Sequence, residues 1–352
     1  MHFIKKERRK FSKKSYTSFI LGGDMGGTNT NLGLFGIKNK LPILLVSFHF
    51  KSKQLKDLYS AIGFTIGAIK NHYKIKITKA CLAVPGVVSH KKDSANITKL
   101  GSRLSGKAIR KKTGLKKIVF LNDFEAIGYG INLIKRKNIK VIKKAKKVPK
   151  ANMLVIGAGT GLGKSLMVFD EHAKFYKPLP SEAGHMDLAA QKDEELNPVQ
   201  FIRKYKKIKG TVSYEQVLSG NGITNIYLFL KSLHKYKDSK YTKEIAKSNS
   251  NPELISKYRK LDETCGKTFN IFRDNYAKFA RNLAVDCFPR GGVYIAGGIA
   301  PKNIGIFGNE FVKIFEGNHD NAEVLRKIPV YIVLKHDAGL LGAGFAGAKF
   351  LM

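Results

Sequence analysis

Tryptophan is absent from this sequence, cysteine occurs three times, and acidic side chains are scarce. Cys81, Cys265 and Cys287 lie far apart with no CxxC pair, which excludes a disulfide scaffold and a cysteine-bound zinc and fits buried thiols in a reducing compartment. No run approaches the roughly 18 uninterrupted apolar residues that a membrane helix needs, so no membrane insertion is expected. The start, "MHFIKKERRKFSKK", is basic like the head of a signal peptide. The "SFILGG" after it is too short for a signal core, and cleavage there would damage the motif that follows. Residues 1–16 are therefore expected to be a basic disordered tail on a cytoplasmic protein.

The shortage of acid leaves 26 Asp and Glu against 64 Lys and Arg, a formal charge of +38. Runs such as "KRKNIKVIKKAKKVPK" (135–150) and "RKYKKIK" (203–209) could neutralise phosphates, the main source of non-specific nucleic-acid affinity. The excess is nevertheless spread along the whole chain, is almost all lysine and has few aromatics interleaved. It reads as a solvated surface, with no specific nucleic-acid function.

Of the 352 residues 43% are apolar, enough for two cores, since single cores rarely exceed roughly 250 residues. "SFILGGDMGGTNTNLGLFG" places an apolar run, a carboxylate, two glycines and a second apolar run in succession, the pattern of a hairpin with a bare-backbone turn. "ANMLVIGAGTGLGKSLMVFD" repeats it. The eight residues "AGTGLGKS" match a loosened Walker A pattern, but Ala158 stands where glycine is required, and "SLMVFD" after it suits a strand rather than a helix. Successive glycine amides there can still form an anion nest, with the Thr160 hydroxyl beside them.

"KKIVFLNDF" ends an apolar run in Asn122–Asp123 just before a helical pattern, so Asp123 sits at a strand's carboxyl end, where α/β proteins place their chemistry. An Asp there can equally be a helix N-cap. "SEAGHMD" brings Glu182, His185 and Asp187 into one short segment, suited to a polyhydroxylated ligand or to a plain surface loop. Segment 192–285 is helical in pattern, 135–150 reads as a connector or exposed excursion, and "AGLLGAGFAGAKFLM" is a small-residue helix. The whole reads as α/β with two similar lobes.

Taken in order, DxGGTNxxL, LNDF, GAGTGLG, ExGHxD, AGGI and GLLGAG resemble the bacterial-type glucokinases of the hexokinase/actin-like ATPase superfamily, over residues 21 to about 347. The related ROK branch carries a cysteine zinc motif after ExGH; the next cysteine here is Cys265, which favours the non-ROK branch. The resemblance implies a two-lobed actin-like ATPase (ribonuclease H-like) fold with the active site in the interdomain cleft. It divides the chain into a small α/β domain, 17–134 plus 336–352, and a large one, 135–335. It implies that Asp123 is the base for the sugar 6-hydroxyl, and that Asn122, Glu182, His185 and Glu215 bind sugar hydroxyls, with Asn96 a further candidate. Asp24, Gly26, Gly27, Thr28 and Asn29 would contact ATP phosphates, Asp24 ordering Mg²⁺ directly or through water. Gly159, Thr160 and Gly161 would form the second phosphate loop, and Gly297 and Gly298 would line the nucleoside pocket.

The implied activity is ATP-dependent phosphorylation of glucose to glucose 6-phosphate by a homodimer. Another hexose or an amino sugar as substrate, another phosphate donor, and a catalytically silent sugar sensor stay open. Ser181, Ala183 and Asn31 depart from the family's usual residues and bear on sugar preference.

Overall fold

The computed structural model describes residues 2–8, 10–97, 102–335 and 337–352. Two units divide the chain: Met1–Arg136 with Asp170–Pro180 and Lys335–Met352, and Lys137–Phe169 with Ser181–Leu334. The first begins with strands β1 (Phe3–Glu7), β2 (Ser18–Met25), β3 (Asn29–Lys38) and β4 (Leu41–Lys51), then helix α1 (Leu58–Tyr73). It continues through β5 (Lys79–Val84), β6 (Val87–Val88), β7 (Ser94–Ile97), β8 (Ser102–Ser105), α2 (Gly106–Thr113), β9 (Lys117–Asn122) and α3 (Asp123–Ile131).

The chain then forms β10 (Ile139–Lys143), β11 (Met153–Ala158), β12 (Leu162–Asp170), β13 (Phe175–Ser181), α4 (Asp193–Tyr205) and α5 (Gly220–Ser232). There follow α6 (Lys240–Lys247), α7 (Pro252–Tyr258), α8 (Glu263–Cys287), β14 (Val293–Ala296), α9 (Asn309–Glu316), α10 (Ala322–Arg326) and β15 (Val330–Val333). Helix α11 (Ala338–Phe350) returns to the first unit.

The first unit's main sheet runs β1-β4-β3-β2-β5-β9. Strands β2 and β3 pair antiparallel, while β2, β5 and β9 run parallel. In the second unit the order β12-β11-β14-β15 repeats the device: an antiparallel hairpin followed by two parallel strands. Parallel strands leave their carboxyl ends on one edge: Asp24 pairs with Ala83, and Val84 with Asn122.

Local sequence accounts for the helices that frame this edge. Asp57 caps α1 by accepting from the Ser60 amide at 2.6 Å, and Ala61, Ile62, Thr65 and Ile69 form its buried stripe. Helix α11 approaches α3 so closely that a Cβ on Gly342 would lie 1.6 Å from the Ala126 carbonyl oxygen, so only glycine fits there. Leu21, Leu34, Phe48, Ile62 and Phe120 lie in one first-unit core, and Ile156, Phe272, Tyr276 and Ile295 in the second unit's.

Two expectations are corrected. Residues 1–16 are not a disordered tail along their described length: Phe3–Glu7 pairs antiparallel with β4, and the Phe3 ring lies 4.9 Å from Phe64 and 5.9 Å from Phe50. Phe3, with Phe11 whose ring lies 5.5 Å from Tyr73, supplies the apolar anchor that a count of lysines conceals, and the added strand covers the open edge of β4. Segment 135–150 is no mere excursion, because Ile139–Lys143 pairs with β15. Buried Lys143 satisfies its ammonium on the Arg326 and Ile328 carbonyls and on Glu316 at 3.2 Å.

Candidate active site

In the first unit, half-buried Asp24 lies one residue before the end of β2, opposite Asn31 of β3, whose side chain donates a hydrogen bond to it. Burial, then the charges of Asp123 and Asp337, push the Asp24 carboxyl up to about 7. A Cβ on Gly339, in the first turn of α11, would sit 2.7 Å from Asp24 Oδ2, so that glycine is what allows helix and carboxylate to meet. The following turn exposes Gly27, Thr28 and Asn29. It is held by Gly26 N donating to the Asn29 carbonyl at 2.9 Å, by Ser52 Oγ donating to the Gly26 carbonyl at 2.6 Å, and by Lys51 on Asn29 Oδ1 at 3.0 Å. Exposed donors on a fixed turn suit phosphate oxygens.

Asn122 is the N-cap of α3: its oxygen accepts from the Phe124 and Glu125 amides at 2.9 and 3.3 Å, and its amide donates to the Gly86 carbonyl at 3.2 Å. Asp123 is therefore not the cap. Its Oδ1 accepts from the adjoining Phe124 amide at 2.9 Å, and its charge is felt at Asp24. Asn96 lies exposed on β7 opposite Val87 and Arg103.

In the second unit the β11–β12 turn carries Gly159, exposed Thr160 and Gly161. Gly159 N donates to the Gly161 carbonyl at 2.8 Å, and the Gly159 carbonyl accepts from Gly220 N at 2.9 Å. Gly297, at φ +84°, lies so near Ala158 that a Cβ would fall 2.5 Å from its carbonyl oxygen, and Gly298 N comes within 4.0 Å of a Cβ built on Gly159. These glycines form one bare-backbone floor.

The segment with Glu182 and His185 folds as a single 3₁₀ turn, and both side chains are exposed, 3.8 Å apart. Gly184 inside that turn presses on Leu162, where a Cβ would meet the carbonyl oxygen at 2.1 Å. Glu215 Oε2 accepts from the amide of the same Leu162 at 2.9 Å. Leu162 thus ties three sugar-site candidates to the second glycine loop. Lys164, the would-be Walker lysine, lies on β12 and pairs with Asp286 of α8 at 3.6 Å, which removes the P-loop reading.

Sequence reasoning missed Asp337 and Asn31 as neighbours of Asp24. Asp337 stands just before the small-residue helix, an N-cap signal that marks it as structural without showing what it faces. Among the described residues, no group of three or more His, Cys, Asp and Glu side chains could hold a metal ion by itself. All three cysteines are buried and unpaired, and no described helix is long and apolar enough to cross a membrane.

A family model described as Glucokinase matches residues 21–349. The chain is 31% identical over 349 residues to a glucokinase of Nostoc punctiforme, covering 94% of this chain and 99% of that protein. A glucokinase of Pectobacterium atrosepticum is 30% identical, with 93% and 96% covered. The crystal structure of a glucokinase from an Antarctic psychrotroph superposes with a TM-score of 0.74 at 26% identity, over 94% of this chain and 99% of that one. That of a glucokinase from Balamuthia mandrillaris in complex with glucose gives 0.79 at 20% identity, with 94% of each covered, a likeness of fold. The fold is that of the actin-like ATPase sugar kinases.

Proposed function

The chain belongs to the glucokinase family, and we propose that it transfers the terminal phosphoryl group of ATP to the 6-hydroxyl of glucose. Asp123 is the base that takes the hydroxyl proton. The observation carrying this reading is the placement of Asp123 in the first turn of α3, directly after the Asn122 cap at the carboxyl end of β9, where its charge is felt at Asp24. A positioned base of this kind contributes roughly 10²–10⁴-fold.

The donor chemistry at Asp24 fits Mg²⁺: one carboxylate, with water and phosphate oxygens completing the shell, is how this ion is usually held. Bound there, Mg²⁺ would offset charge on the phosphate oxygens. The chain's own part is positional. The amides of Gly27 and Thr28 with the Thr28 hydroxyl, and those of Thr160 and Gly161 with the Thr160 hydroxyl, meet phosphate oxygens, while the Gly26 and Gly159 amides hold the two turns in shape. The Gly297–Gly298 backbone leaves room for the nucleoside. Glu182, His185 and Glu215 hold the sugar hydroxyls, joined by the remaining amide hydrogen of Asn122 and by Asn96. The buried, unpaired thiols suit the cytoplasm.

The test is a coupled assay of the purified protein with ATP–Mg²⁺ and a panel of glucose, mannose, fructose and N-acetylglucosamine, repeated with ADP and polyphosphate as donors. Glucose with ATP should give the highest kcat/KM, and Asp123→Ala should remove nearly all turnover while glucose affinity changes much less. An active Asp123→Ala enzyme rejects the assignment.

A further inference from the structure

Arg8 lies outside the stretch matched by the family model, at the end of the strand that extends the first sheet. Its backbone continues the ladder, the amide donating to the Leu45 carbonyl at 2.8 Å. Its guanidinium then forks. Nη2 meets Asp337 Oδ2 at 2.9 Å, a contact between residues 329 apart in the chain. Nε donates to Ser47 Oγ at 3.3 Å, and Ser47 is fully buried.

From Ser47 a chain of side chains leads inward. Ser47 Oγ is 2.9 Å from His49 Nε2, and His49 Nδ1 is 2.8 Å from Asn31 Oδ1. The Asn31 side chain bonds to the Asp24 carboxylate. With His49 neutral, one set of hydrogens satisfies every step: Arg8 Nε–H to Ser47, Ser47 O–H to His49 Nε2, His49 Nδ1–H to the Asn31 oxygen, and the Asn31 amide to Asp24. The proton of the neutral imidazole then lies on Nδ1. Burial does hold its pKa below the ordinary value. Each bond fixes the tautomer or rotamer that the next one needs.

We propose that Arg8 is a positioning residue for the phosphate end of the site. One arm of its fork holds Asp337, and the other orients Asp24 through Ser47, His49 and Asn31. The need for it is electrostatic as well as geometric. Asp24, Asp123 and Asp337 lie close enough that the latter two charges are felt at Asp24, and a polyphosphate brings further negative charge. Arg8 offsets one of the three. Lysine cannot replace it, because a single ammonium on a flexible stem does not serve two acceptors in fixed directions.

The inference rests on the reading of the turn at Asp24 to Asn29 as a phosphate site, and its test separates the two. Mg²⁺–ADP and glucose binding are measured by calorimetry on the full-length wild type, Arg8→Ala, Arg8→Lys and Ser47→Ala, with a melting temperature for each. Arg8→Ala should weaken Mg²⁺–ADP binding about fivefold, a shift in line with one lost charge-assisted contact, and leave glucose binding within about twofold. Arg8→Lys should recover less than half of the loss, and Ser47→Ala should reproduce part of it. In ¹⁵N spectra of the imidazoles, the wild type should show His49 protonated on Nδ1.

Arg8→Ala with wild-type Mg²⁺–ADP affinity overturns the proposal, as does full rescue by lysine or a His49 protonated on Nε2. Parallel losses of ADP and glucose affinity also overturn it, by showing general damage. If the wild type binds no Mg²⁺–ADP at all, the phosphate-site reading itself is wrong.

Discussion

Glu215 and Leu162 are joined by a hydrogen bond of 2.9 Å from the Leu162 amide to Glu215 Oε2, although 53 residues separate them. A residue expected to bind sugar therefore also anchors the strand that leaves the glycine loop. Glu215→Ala should raise the KM for both glucose and ATP, whereas Glu215→Gln, which keeps an oxygen acceptor, should raise mainly that for glucose. Steady-state kinetics with each substrate varied in turn will show the split. Equal ATP KM values for the two variants would mean that the Leu162 contact does not hold the loop.

Gly339 offers a sharper case, because helix propensity and site geometry oppose each other. Alanine is favoured over glycine inside a helix by about 1 kcal/mol. A Cβ at this position would lie 2.7 Å from Asp24 Oδ2, with no room for either group. Gly339→Ala should cut kcat/KM by about tenfold or more through displacement of Asp24. Circular dichroism should show an unchanged fold.

The pH dependence of the metal-free protein follows from Asp24, whose carboxyl moves from 3.8 to about 7 in the fold. The folded state holds its proton more tightly than the open chain does, so ionisation works against folding. Stability should fall as pH rises from about 4 to about 7 and level off above that. Asp24→Asn removes this contribution. Its melting temperature should exceed that of the wild type at pH 8 by a few degrees, about 2–4 °C, and nearly match it at pH 5. Saturating Mg²⁺ should narrow the gap at pH 8.

Lys92 and Glu125 form an ion pair at 2.5 Å, with the Glu125 side chain 7% exposed and the lysine 34%. The pair joins the segment between β6 and β7 to the first turn of α3. Removing one partner strands the other's charge, and Lys92→Met should cost about 1–3 kcal/mol, less than a fully buried pair because the lysine is partly solvated. The double variant Lys92→Met with Glu125→Leu should recover most of that loss in urea denaturation. A double variant as unstable as the sum of the singles would show that the two do not interact.

Much of this architecture was legible in the residues alone. Both glycine hairpins, the strand before Asp123 and the terminal small-residue helix carry local signals: short apolar runs, turn glycines, and an apolar run broken by Asn–Asp. The rejection of a Walker loop was legible too, since "SLMVFD" has the β-branched and aromatic content of a strand, and Lys164 indeed lies on one. The tail was misjudged because composition outweighed Phe3, whose ring packs against β4 and α1, far along the chain.

The order of motifs established the family, and the identity of the residues next to each glycine turn followed from it, because turn chemistry is written within a few adjacent positions. Folding in three dimensions settled that Asn122 caps α3, that the Asp337 charge is felt at Asp24, and that Arg8 reaches Asp337. The last two relations depend on strand register and helix approach between segments up to 329 residues apart, and no local pattern encodes them.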